Sequence, residues 1–293
     1  MKICLQTKLL RPHHWLKNLL VFIPMIAAHR IELNLFLDGV VLFILFSFVA
    51  SSGYIFNDIL DRKFDANHQA KKNRPIASGQ IKVSNAIIVF LLLFTASLSA
   101  AYSINYIIFI TLLAYFLLSL SYSLLFKKMI IIDIVVLSGL YSMRIVIGGV
   151  VLSIPPSFWL VVFSMFFFLS LACIKRVSEL IAFEGSKKKK IAGRGYDVED
   201  REILTQISLV SGFISALVIL LYLRSDDIYL IYQNINYMYF IGVVVIYWIS
   251  RVNIKAIRGE VHSDPLLFAI QDKVSILSFI LIILLALSGA EYF

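Results

Sequence analysis

Charge is scarce in this sequence. Only 15% of its 293 residues are charged and 60% are hydrophobic, and the mean hydropathy is +0.89, whereas ordinary soluble domains carry about 25% charged residues. That shortage excludes a water-soluble globular domain and puts the chain in a bilayer. Cysteine is almost as scarce: Cys4 and Cys173 are too few and too far apart for a disulfide framework or a thiolate metal site. A cleavable leader is also poorly supported. The opening MKICLQTKLLRPHHWLKNLLVFIPMIAA has a basic start and an apolar run, but Arg11, Pro12, His13, His14 and Lys17 break it before the apolar part, and no small-residue cleavage pattern follows. The segment is expected to be retained.

Long apolar runs are what the chain does have. They lie at about 16–29, 35–56, 84–104, 106–126, 131–152, 157–175, 204–223, 235–250 and 271–290. A helix needs about 20 residues to cross about 30 Å of hydrocarbon. The expectation is an all-α polytopic membrane protein, with about nine transmembrane helices in one bundle capped by cytoplasmic polar loops. With a cytoplasmic N-terminus and alternating spans, nearly all of the 27 Lys and Arg fall on the cytoplasmic side, and only Arg30 and Arg224 sit in loops opposite. The expected location is the inner (plasma) membrane, with the C-terminus on the far side. Topology accounts for the net charge of +9. No nucleic-acid partner is implied, because the basic residues are dispersed among membrane loops.

The most informative polar island is NDILDRKFDANHQAKKNRPIASG, from Asn57 to Gly79. Asn57, Asp61 and Asp65 recur at i, i+4 and i+8, with Asp58 one position off, so on a helix the carboxylates line one face. At close range and an effective dielectric of about 20, each carboxylate pair repels by roughly 2 to 4 kcal/mol. A divalent ion with hard oxygen ligands relieves that repulsion. Arg62, Lys63, Lys71, Lys72 and Arg74 follow, with Pro75 and Gly79 as turn residues. Acid and base in one stretch point to a metal-bridged phosphate.

A second island runs from Lys175 to Leu204. Asp197 and Asp200 share a helix face beside Tyr196 and Glu199, and Glu179 lies a turn beyond Lys175 and Arg176. Lys187–Lys190 is a solvated run facing anionic lipid headgroups. Within an apolar span, Arg144 needs an anion, since a lone Arg near a helix centre costs about 2.5 to 3.5 kcal/mol. A phosphate and a carboxylate such as Asp133 are both open as its partner. Gly148 and Gly149 suit close helix packing. In the last polar loop, His262, Asp264, Asp272 and Lys273 are polar candidates, with Asp264 before Pro265 first of all a turn signal.

These motifs resemble a known family. NDILDRKFD with the following NRPIASG looks like the first aspartate-rich motif of the UbiA-type intramembrane prenyltransferase superfamily, which would make residues 1–293 a single UbiA-like domain. RPHHWLKN, GLYSMRIVIGG, KRVSEL and GEVHSDPLLFAIQDK look more specifically like the decaprenyl-phosphate phosphoribosyltransferase branch. The resemblance implies magnesium-dependent transfer of 5-phosphoribose from phosphoribosyl pyrophosphate to a polyprenyl phosphate at the cytoplasmic face. It makes Asn57, Asp58, Asp61 and Asp65 the metal and pyrophosphate site, with Asp58, Asp61 and Asp65 catalytic. Lys17 with neighbouring Asn18, Asn57, Arg74, Arg144, Lys175 and Arg176 become phosphate holders. The segment GYDVED departs from the pattern: it lacks the regular DxxxD of aromatic prenyltransferases. Tyr196, Asp197 and Asp200 therefore either form a second acidic site or cap and solvate the start of a helix.

Breaking a bond to pyrophosphate builds negative charge on the leaving group, which magnesium and fixed cations stabilise. The same site would serve a polyprenyl diphosphate donor and an aromatic or other acceptor, so prenyl transfer is the alternative. A transporter is the reading from a different class, disfavoured because the acidic groups cluster at cytoplasmic helix ends and not at the midplane. A homo-oligomer is compatible with either reading.

Overall fold

The computed structural model describes residues 8–66, 72–183, 193–230, 232, 234–261 and 264–289. Among them the regular elements are helices: α1 Leu33–Leu60, α2 Val83–Ile104, α3 Tyr106–Leu124, α4 Ile132–Val151, α5 Phe158–Phe183, α6 Arg201–Tyr222, α7 Tyr239–Ile257, α8 Pro265–Gln271 and α9 Lys273–Gly289, with shorter turns between. Seven are long and apolar enough to cross a membrane, and the α8–α9 pair, bent by 87°, raises this to eight. This is a multi-pass helical membrane protein.

The remaining expected span, 16–29, takes a different form. Residues Pro12–Phe22 are a 3-10 helical segment and Ile23–Ala27 a single α-helical turn. Pro24 lacks an amide proton and cannot bond the Leu20 carbonyl, so an unbroken i→i−4 ladder through this stretch is unavailable. Lys17 and Asn18 are buried in this segment, so it packs polar groups inward.

The chain divides into two compact units, Met1–Lys128 with Met143–Pro155, and Met129–Ser142 with Pro156–Phe293. In the first unit, Leu9, Ile55, Ile76 and Ala86 form a core with Leu10, Ile59, Phe90 and Leu93 around it. A Cβ added at Gly148 would collide with the backbone of Val21, so this glycine admits the 3-10 segment against α4, as small-residue packing in membranes predicts. Asn105 joins α2 to α3 by itself: it closes α2, and its side chain accepts from the Ile107 N–H at 2.7 Å.

In the second unit Trp248 is 2% exposed. It packs on Phe167 at 5.6 Å and Phe279 at 5.3 Å and donates its Nε1–H to Ser275 Oγ at 2.9 Å. Ser170 and Ser208 hydrogen-bond at 3.1 Å where α5 meets α6. Asp264 N-caps α8, accepting from the Leu266 N–H at 3.2 Å.

Candidate active site

α1 contains 28 residues and is therefore about 42 Å long, more than the hydrocarbon core requires. Asn57 and Asp58 lie in its last turn, Asp61 terminates it, and Asp65 belongs to the short helix Arg62–Ala66. Helical hydrogen bonding continues across the junction: Asp61 N–H donates to the Asn57 carbonyl at 2.9 Å and Asp65 N–H to the Asp61 carbonyl at 2.8 Å. The expected register is therefore present, but the carboxylates divide differently along it. Asp58 and Asp65, seven apart and hence about 20° from eclipsed, turn inward at 3% and 4% exposure. Asn57 and Asp61 form a second pair.

Each acidic group meets a cation. Arg11 Nη2 donates to Asp58 Oδ1 at 2.6 Å and Oδ2 at 2.7 Å. Arg74 Nη1 lies 3.0 Å from Asp58 Oδ1 and 2.6 Å from Asp65 Oδ2. Lys127 Nζ contacts both Asp61 oxygens at 2.8 Å and Asn57 Oδ1 at 3.4 Å. The NRPIASG loop explains the position of Arg74. Ser78 N–H and Oγ–H both bond the Arg74 carbonyl at 2.8 Å, Gly79 takes φ +75°, and Ile76 plugs the loop into the core beside Ile55.

Arg11 sits in the left-handed region at φ 50°, where non-glycine residues are uncommon. From there the N-terminal segment docks along one face of α1. Asn18 donates to Ser47 at 3.0 Å, Trp15 donates to Ser51 at 2.9 Å, His14 packs on Tyr54 at 5.2 Å, and Arg11 reaches Asp58. Burial, with Arg11 and Lys17 nearby, lowers the pKa of the His13 imidazole. Arg11 and Lys127 escaped the sequence reading because their acidic partners are 47 and 66 residues away, beyond any local pattern.

Arg144 has its own buried surroundings. It donates from Nε to Asn18 Oδ1 at 3.0 Å and from Nη2 to Tyr115 OH at 2.7 Å, and its guanidinium lies over the rings of Tyr115 and Phe46 at 5.0 and 5.5 Å. Asp133, one of the partners considered for it, instead takes Arg176 and Arg194.

That network belongs to the second unit. Arg176, 1% exposed, pairs with Asp133, which is fully buried, and with Glu179. Arg194 joins it at 3.3 Å from Asp133 and 3.6 Å from Glu179. Lys175 Nζ lies 3.4 Å from Asp264 Oδ2, which also accepts from Tyr141 OH at 2.8 Å. Tyr196 OH accepts the Ile131 N–H at 2.9 Å, and burial pushes its pKa up to about 12. Asp197 and Asp200 form a reciprocal capping box ahead of α6, with Asp197 N–H donating to Asp200 Oδ2 at 2.8 Å. Within the second island, Arg176 is thus engaged in buried ion pairs and the acidic pair in a capping box. Lys71, Lys187–Lys190 and His262 lie outside the described residues.

The donor set of Asn57, Asp58, Asp61 and Asp65 consists of hard oxygens, the type that magnesium takes. One cationic nitrogen of Arg74 already bridges Asp58 and Asp65, so these two carboxylates come within reach of a single cation. Among the described residues no group of three or more His, Cys, Asp or Glu is already gathered as a metal cage. The set fits a divalent ion once the bridging guanidinium moves.

The model of the UbiA prenyltransferase family matches residues 19–253. The chain belongs to the UbiA prenyltransferase family. Among its relatives, the protein y4nM of Sinorhizobium fredii is 32% identical over 91% of this chain and 52% of its own length. The nodulation protein NoeC of Azorhizobium caulinodans is 33% identical over 89% of this chain and 85% of its own. Decaprenyl-phosphate phosphoribosyltransferase of Mycobacterium tuberculosis is 33% identical over 59% of each chain. The chain thus spans about half the length of the first of these relatives. A UbiA homolog from Archaeoglobus fulgidus, solved bound to DMAPP and Mg2+, shares the fold with a TM-score of 0.68 over 98% of this chain and 99% of its own, at 17% identity.

Proposed function

We propose that this UbiA-family protein is a magnesium-dependent transferase that moves 5-phosphoribose from phosphoribosyl pyrophosphate to a polyprenyl phosphate, releasing pyrophosphate. The observation that carries this reading is the placement of Arg11, Arg74 and Lys127 on the carboxylates of Asp58, Asp61 and Asp65. Hard oxygen donors for a divalent ion and fixed cations for a diphosphate are there side by side. The choice of phosphoribose as the transferred group is supported by the mycobacterial relative, named for that transfer and 33% identical over 59% of this chain.

Asn57, Asp58, Asp61 and Asp65 would hold magnesium, which when bound supplies charge neutralisation to the diphosphate. Arg11, Arg74 and Lys127 bind diphosphate oxygens and stabilise the charge that grows on the leaving group. The bond from ribose C1 to the pyrophosphate oxygen breaks, C1 takes on oxocarbenium character, and a phosphate oxygen of the lipid forms the new bond to C1. Lys17 and Lys175 are further phosphate-facing candidates. Arg144, Arg176, Tyr196, Asp197 and Asp200 act in this reading through the framework they hold. The whole chain works as one UbiA-like domain, with its polar loops at the cytoplasmic face of the inner membrane, as the distribution of Lys and Arg supports.

Prenyl transfer from a polyprenyl diphosphate to an aromatic or other acceptor is the second reading; its donor is favoured by the match to the UbiA prenyltransferase family and by the Archaeoglobus neighbour that was solved with DMAPP and Mg2+. Purified protein incubated with labelled phosphoribosyl pyrophosphate, decaprenyl or undecaprenyl phosphate and magnesium is expected to yield a labelled lipid. Absence of that lipid, together with prenylation of an aromatic acid from a polyprenyl diphosphate, would reverse the order.

A further inference from the structure

The carboxylates of Asp58, Asp61 and Asp65 carry their own counter-cations, Arg11, Arg74 and Lys127. The cluster is therefore charge-balanced before any ligand arrives. We propose that these cations are exchangeable place-holders, so that metal and diphosphate bind this site together and each binds poorly alone. The identity of the donor rests on the function proposed above; the exchange itself rests on the ion pairs.

Arg74 decides the matter. Its Nη1 stands between Asp58 Oδ1 and Asp65 Oδ2 at 3.0 and 2.6 Å, so a divalent ion that is to bridge these oxygens must displace it. Without an anion to receive it, the displaced guanidinium loses both partners and adds its charge to that of the metal. The converse holds for a diphosphate arriving alone. Arg74 and Arg11 meet the carboxylates through Nη1 and Nη2 respectively and can offer other N–H groups to an anion, but the balanced cluster has no spare positive charge for it. Passing the guanidiniums over fully would leave Asp58 and Asp65, 3% and 4% exposed, buried without compensation, which is strongly unfavourable. Lys127 repeats the arrangement on Asp61 and Asn57. When both ligands arrive, the carboxylates pass to the metal and the arginines and lysine pass to the diphosphate, and every charge keeps a partner. Linkage makes the effect reciprocal: whatever factor pyrophosphate gives to metal affinity, metal gives to pyrophosphate affinity.

Two consequences distinguish exchange from simple co-binding. The metal alone competes with a resident cation, so removing that cation should tighten metal binding even though a phosphate-binding group is lost. The coupling between ligands should shrink in the same variant, because the metal no longer has to evict anything.

The test is equilibrium binding of Mn2+ to the full chain in lipid nanodiscs, with and without inorganic pyrophosphate, corrected for the metal–pyrophosphate complex in bulk. The expected result is that saturating pyrophosphate raises Mn2+ affinity at least about tenfold, within the usual range of binding couplings. Arg74→Gln is expected to bind Mn2+ alone more tightly than the native chain and to lose most of the coupling, whereas Arg74→Lys retains it. Equal Mn2+ affinity with and without pyrophosphate in the native chain would overturn the exchange while leaving the proposed reaction standing, and this arm needs no variant to fold. Weaker Mn2+ binding by folded Arg74→Gln would also overturn it. Failure of Mn2+ and pyrophosphate to bind even together would overturn both the exchange and the proposed reaction.

Discussion

Replacing Arg176 by Met separates a structural cation from a substrate-binding one. Arg176 and Asp133 are 1% and 0% exposed, and Arg176 also pairs with Glu179. Removing one member of a buried ion pair costs about 3 to 5 kcal/mol, because the other charge is left buried. Arg194, at 3.3 Å from Asp133, keeps part of the compensation, which favours about 3 kcal/mol, the lower end of that range. For chains somewhat shorter than this one, each kcal/mol shifts Tm by about 2 to 4 °C, so a fall of about 6 to 12 °C is expected for Arg176→Met in detergent. Asp133→Leu combined with Arg176→Met should recover most of the loss, since well-packed apolar replacements of a buried pair are often neutral or better. Intrinsic fluorescence during heating reads the transition, and the donor KM is measured in parallel. A Tm within about 1 °C of the native value, with a raised donor KM, would refute the buried-pair account and assign Arg176 to substrate phosphate instead.

Two further outcomes follow from the site and its surroundings. Asp61→Asn removes a proposed metal oxygen, so formation of labelled lipid should fall at least ~100-fold, the upper range even for residues that only support a metal's ligands; native rates in this variant would end the metal assignment. Tyr196→Phe leaves the Ile131 N–H without its acceptor and should lower stability by about 1 to 3 kcal/mol. The Tyr196 phenol, pushed up to about 12 by burial, also has an alkaline signature. Its pKa is about 10 in an unfolded chain, so its contribution is complete below about pH 10 and is lost as pH rises toward about 12. Melting curves across that window should show a steeper decline in the native chain than in Tyr196→Phe.

Much of the fold could be read from the sequence because hydrophobic length is a local property. The runs at 84–104 and 106–126 became α2 and α3 almost residue for residue, and Asp264 before Pro265 became an N-cap. The aspartate register from Asn57 to Asp65 was legible for the same reason, since i, i+4 and i+8 depend only on helical pitch. What was not legible depends on partners far along the chain. Nothing near Arg11 or Lys127 announces Asp58 or Asp61, and nothing near Asp133 says that it will take Arg176 and not Arg144. The 3-10 form of Pro12–Phe22 was hidden because its apolar composition imitates a span, while its two buried polar residues, Lys17 and Asn18, mark it as packed. The capping box of Asp197 and Asp200 did have a local signature, an acid at the N-cap with another three residues on, and capping was one of the two readings open for this pair.

The docking of the N-terminal segment on α1 also sets a constraint on how this protein can vary. Ser47, Ser51, Tyr54 and Asp58 meet Asn18, Trp15, His14 and Arg11 in antiparallel order along one face. Those contacts fix the phase of the helix as well as its position. A single residue inserted between Ser47 and Asp58 would turn everything beyond it by about 100° and advance it by about 1.5 Å. Asp58 would leave Arg11, and the carboxylates would face a different neighbour. A length change within this interval, or within Arg11–Asn18 opposite it, is therefore expected to break the pairing, whereas positions of α1 that make none of these contacts are free to change in composition.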